Sequence, residues 1–142
     1  MNTKKFFIGT LAGGIAFFFV GYLIYGMALS GFFVQHSTAA SGSMKEMSEI
    51  VWWALILGNF ASAALLSYVF LKLGNIGSIG SGAGTGAAIG FFVTLSVDLI
   101  HYATANTLDL TATIVDVLVG IVMYAIVGGL IGAIIGKGTT IK

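Results

Sequence analysis

The chain has no cysteine, no proline and no arginine, and charged residues make up only 8% of its 142 positions. Without cysteine there are no disulfides, thiolate metal sites or cysteine nucleophiles. Without proline a spanning helix has only glycine to break it at a site. The scarcity of charge excludes an ordinary soluble domain, in which about a quarter of residues are charged, and a net charge of +1 makes no case for a nucleic-acid partner.

What is present is apolar: 58% hydrophobic residues with a mean hydropathy of +1.05. Four runs reach the roughly 20 residues that cross a hydrocarbon core as helix: Phe6 to Leu29, Val51 to Leu73, Ala83 to Ala103 and Leu110 to Ile135. They predict an all-α integral membrane four-helix bundle with antiparallel neighbours, one domain over residues 1–142, and lipid as its surroundings. The first run follows Lys4 and Lys5 as a secretory signal would, but it exceeds the roughly 7 to 15 residues of a signal core and reads as a span.

Orientation rests on the lysines. Lys4, Lys5, Lys72, Lys137 and Lys142 fall on one side of a four-span protein and Lys45 on the other. The positive-inside bias puts both termini in the cytoplasm and the connections Ser30 to Ile50 and Thr104 to Asp109 outside. The setting expected is a cytoplasmic membrane. In the first outer connection Gln35 to Gly42 reads as loop, and Ser43-Met44-Lys45-Glu46 has the capping-box pattern, which starts the second helix near Met44. Trp52 and Trp53 then sit at the aromatic belt, and Asp109, with Asn106 before it, caps the fourth helix. Gly14 to Phe18 and Ala88 to Phe92 echo each other weakly, as chance allows in so biased a composition.

Glycines recur every four residues at Gly9 and Gly13, at Gly82, Gly86 and Gly90, and at Gly128, Gly132 and Gly136. Such stripes let helix backbones approach closely, so the cytoplasmic half should be closed and tightly packed. Gly82-Ala83-Gly84-Thr85-Gly86-Ala87 also fits a dinucleotide fingerprint, but that motif needs a preceding strand and a βαβ unit, and here it opens a membrane span.

The outer half holds the polar groups. Asp98 and Asp116 lie roughly 7 to 9 Å below their helix ends at 1.5 Å per residue, Asn59 lies at similar depth, and Tyr22 and Tyr25 occupy the matching stretch of the first span. Thr94, Asp98, His101 and Tyr102 share one helix face, and Asp109, Thr113, Asp116 and Gly120 another. A carboxylate at a span's centre costs about 2.5 to 3.5 kcal/mol, so these acids should avoid lipid. Protonated carboxyls, a bound cation or ligand, or a wet vestibule would each accommodate them.

Two readings follow. In one, Asp98, Asp116, Asn59, Tyr25, Thr113 and His101 form a hydrogen-bonded knot that fixes helix register. The protein is then a non-enzymatic accessory subunit or homo-oligomer packed through its glycine stripes. In the other, Asp98, His101, Asp116, Asn59 and Tyr25 form an outward-facing pocket for a cation, a basic ligand or a transported proton. Asp98 and His101 lack the second motif of a di-metal site, and His36 reads as a solvated loop imidazole, so no metal or cofactor is expected. Hydrolase and zinc-protease motifs are missing, and no catalysis is expected.

The segments Gly21-Tyr22-Leu23-Ile24-Tyr25-Gly26 and Gly90-Phe91-Phe92, together with the stretch around Asp116, resemble the small four-span bacterial membrane proteins grouped as domain of unknown function 1761. The resemblance implies a bacterial integral membrane protein of about this length and carries no established reaction.

Overall fold

A computed structural model describes residues 2–38 and 45–137. Lys142, Ser43 and Met44, on which parts of the orientation and of the capping box rest, lie outside the described residues. The chain forms α1 (Thr3–Gly21), a π-helical turn (Tyr22–Ala28), α2 (Ser30–Gln35), a short 3-10 turn (Met47–Glu49), α3 (Trp52–Leu73), α4 (Ile79–Thr104) and α5 (Leu110–Gly136). Four helical stretches are long and apolar enough to cross a membrane: Thr3–Ala28, Trp52–Leu73, Ile79–Thr104 and Leu110–Gly136. The protein is an all-α four-helix bundle.

Local chemistry sets the boundaries. The Asn2 side chain accepts the Lys5 N–H at 3.1 Å and starts α1. In the π-helical turn the N–H of Leu29 reaches back five residues to the carbonyl of Ile24 at 2.8 Å. The first span therefore does not run as one α-helix to Leu29 but loosens after Gly21 and restarts as α2. α3 starts at Trp52 rather than near Met44, because the capping box forms between Glu46 and Glu49 around the 3-10 turn. It stops at Gly74, whose φ of 74° is left-handed, a conformation that suits glycine as a helix terminator. α4 starts at Ile79, earlier than Ala83, since Ser78 and Ser81 each accept the other's backbone N–H at 3.1 Å. Asp109 caps α5 by accepting the Ala112 N–H at 2.8 Å, as its position predicts.

The helices form two pairs. α4 packs on α5 along most of its length and α1 packs on α3, while α1 joins the pairs through α5 and consecutive α3 and α4 barely touch. The α4–α5 seam is backbone on backbone: a Cβ added at Gly82 would come 3.0 Å from Gly132 Cα, and one at Gly86 would come 3.1 Å from Gly128 Cα. Gly13 meets Ala63 and Ile131 across the other joint. The glycine stripes are thus filled within one chain. Gly80 and Gly84, on the opposite face of α4, have nothing within 4 Å. Buried Leu66, Phe70, Val127 and Ile131 fill the core between α1, α3 and α5. Phe17 is 2% exposed whereas Phe91 is 39% exposed, so the echoed segments have different environments.

Lys5 Nζ donates to the carbonyl of Ile135, and Gly77 packs on Gly136, which brings the start of α1, the start of α4 and the end of α5 to one end of the bundle. Lys4, Lys5, Lys72 and Lys137 belong to this lysine end. All five acidic residues lie towards the other, acidic end, together with Lys45 and the two tryptophans.

Candidate ligand site

At the acidic end the last turns of α4 and the first turns of α5 leave a small gap between them beyond the glycine seam. Thr94 packs α4 on α5 one turn before Asp98: its hydroxyl donates to the Gly90 carbonyl at 2.8 Å, and its side chain fills the space over Gly120. Above it lies a small cavity of about 60 Å³ lined by Asp98, His101, Tyr102, Thr107, Leu108, Thr113 and Asp116. Since one water takes about 30 Å³ of liquid volume, this space suits a few waters or a small ion.

Among the described residues neither Lys nor Arg lines the cavity. Oδ2 of Asp98 is buried with no hydrogen-bond partner among the described residues. Asp116 is held from the first span, where Tyr25, on the π-helical turn, donates its hydroxyl to Oδ1. The Thr113 hydroxyl donates to the Asp109 carbonyl at 2.8 Å, so its oxygen keeps a free lone pair for the cavity. His101 lines the cavity near its exposed edge.

Asp98, His101, Asp116 and Tyr25 therefore converge as expected, but Asn59 does not join them. Its amide donates to the carbonyl of Leu55, four residues back in its own helix, at 2.8 Å. It lines a separate apolar groove of about 270 Å³ between α1 and α3, with Gly14, Phe18 and Phe60. A polar side chain at membrane depth has found its partner locally, which removes it from the site. Tyr22 also stays outside, 48% exposed.

The site includes residues that sequence reading passed over. His36 is not a free loop imidazole: its Nδ1 lies 2.6 Å from Oδ2 of Asp109, and its ring stacks on Phe32 at 4.4 Å. The flanking backbone forms a short antiparallel bridge, Ser37 to Leu108. Thr38 N–H donates to the Thr107 carbonyl at 3.0 Å, and Asp109 N–H donates to the His36 carbonyl at 3.1 Å. The Ala112 N–H, followed by the hydrogen bond from His36, holds the Asp109 carboxyl below the usual carboxylate range. Phe32, one turn before His36, is the only sequence signal for this contact.

Among the described residues no group of three or more His, Cys, Asp or Glu side chains is arranged to hold a metal ion. Compared with protein-family models, curated proteins and solved structures, the chain matches none of them.

Proposed function

We propose that this protein is a non-enzymatic multi-pass protein of a bacterial inner membrane that binds a small monovalent cation at its acidic end. The reading rests chiefly on one observation: Asp98 and Asp116 line one cavity without a lysine or arginine, and an Asp98 oxygen is buried there unpartnered. Buried charge demands a counter-charge or a proton. Two carboxylates with the hydroxyls of Thr113 and Tyr102 nearby suit a hard cation, and one imidazole, that of His101, is too few for a transition-metal site. Binding is favoured over passage across the membrane, because beyond the cavity α4 and α5 meet backbone on backbone at Gly82, Gly86, Gly128 and Gly132. The lysine asymmetry supports a cytoplasmic lysine end, which turns the cavity to the periplasm. The likeness to domain of unknown function 1761 fits a small membrane protein and adds no reaction.

The test is thermal unfolding in detergent during titration with sodium, potassium or lithium chloride, with choline chloride as the ionic-strength control. One alkali cation should raise the melting temperature of the wild type and not that of the Asp98→Asn/Asp116→Asn double variant. Equal shifts in both proteins would remove the proposal.

A subunit role has one observation in its favour, the open face of α4 at Gly80 and Gly84, where a helix of another subunit would find a flat surface. Light scattering of Gly84→Leu against wild type tests it.

A further inference from the structure

The cavity's roof is made by a different part of the chain from its walls. Asp98, His101 and Tyr102 come from α4 and Thr113 and Asp116 from α5, whereas Thr107 and Leu108 belong to the α4–α5 connection above them. That connection is clipped to the stretch after α2 by the Ser37–Leu108 bridge, two backbone hydrogen bonds and the His36–Asp109 pair. The same stretch continues back through Leu29, which leaves helical geometry at φ −116° and ψ 8°, to the π-helical turn whose Tyr25 holds Asp116. One segment, residues 25–38, therefore reaches the cavity's lining twice, at Asp116 through Tyr25 and at the roof through its bridge to Thr107 and Leu108. Its attachment at the top is the weak one. The His36 and Asp109 side chains are 30% and 39% exposed, and a single bridge with a water-accessible side-chain hydrogen bond opens far more readily than a packed helix seam.

We infer that the segment from α2 to Thr38 is a strap that controls access to the Asp98–Asp116 cavity, with the His36–Asp109 contact as its clip. The inference rests on reading the cavity as the binding site. With the strap attached, Thr107 and Leu108 cover the carboxylates. With the clip open, the connection lifts and the cavity meets water. The clip governs how fast the acids are reached, while Asp98 and Asp116 themselves govern what binds.

The absence of cysteine gives a clean test. Residues paired across an antiparallel bridge have Cα atoms about 4.5 to 5.5 Å apart, within disulfide range, so Ser37→Cys/Leu108→Cys introduces a single lockable link. The full-length protein in detergent is labelled with a water-soluble carbodiimide and glycine ethyl ester. Modification of Asp98 and Asp116 is followed by peptide mass spectrometry, with exposed Glu46 and Glu49 as internal references. Oxidation should slow labelling of both aspartates by about tenfold or more, on the scale of a link that restrains an open state, and reduction should restore it. In the cysteine-free background His36→Gln should speed labelling by about threefold, the range of one exposed side-chain hydrogen bond. Equal rates in oxidised and reduced protein would overturn the strap. The alkali-cation titration of the same samples separates the two ideas. A cation shift with strap-independent labelling overturns only the strap, and strap-dependent labelling without a cation shift overturns only the bound cation.

Discussion

Tyr25 donates its hydroxyl hydrogen to Oδ1 of Asp116 from a π-helical turn at the end of the first span. This bond ties the α1–α3 pair to the α4–α5 pair at the depth of the cavity. Removing the hydroxyl in Tyr25→Phe should lower stability in detergent. A double-mutant cycle with Asp116→Asn should give a coupling of about 1 kcal/mol, within the range of interhelical polar contacts in membrane bundles. Purely additive effects in denaturant unfolding would mean that the two side chains do not depend on each other.

The glycines of α4 divide into two classes that substitution should separate. A Cβ at Gly86 meets Gly128 Cα at 3.1 Å and backbone atoms of Tyr124, so Gly86→Ala must push the seam apart, at a cost of about 1 to 3 kcal/mol. Gly84 has nothing within 4 Å, and Gly84→Ala should be neutral or stabilise by up to about 1 kcal/mol through helix propensity. Thermal unfolding of the two variants checks the order. Gly86→Ala as stable as Gly84→Ala would contradict the seam.

Asp109 predicts an acid dependence. Its carboxyl is held below the usual range by the Ala112 N–H and then by His36, so the native state favours the ionised form. The resulting stability is complete above the ordinary carboxylate pKa of about 4 and is lost as pH falls below it, through the lower native value. Asp109→Asn should flatten this part of the pH–stability curve in a melting series. An unchanged acid limb would assign it to other carboxyls.

Asn59 should be dispensable for the site. Because its amide is satisfied by Leu55 and faces an apolar groove, Asn59→Leu should leave the response to alkali cations unchanged and should not lower the melting temperature. Loss of the cation response in that variant would reconnect the groove to the cavity.

Much of this architecture was legible from residue types alone. The spans followed from run lengths, and the meeting of Asp98 with Asp116 followed from helical spacing and a short connection. Asn59 misled because depth says nothing about partner, and an amide can turn back to a carbonyl four residues earlier. The early start of α4 went unread because the box at Ser78 and Ser81 uses serine where glutamate is the usual sign. The His36 contact was out of reach for a different reason. It depends on the register between two loops far apart in sequence, which hydrophobic periodicity does not encode.

The glycine seam has a mechanical consequence. Two backbones in direct contact have no side chains to yield between them, so α4 and α5 act as a single stiff plank, and both aspartates are nailed to it. The neighbouring pair adjoins that plank mainly through α1, and it reaches Asp116 through Tyr25 and the α4–α5 connection through the His36–Asp109 clip. Sliding of one pair along the other would leave the spacing of the two acids unchanged while shifting the pieces that shelter them. The recess would keep its shape as its shutter travels.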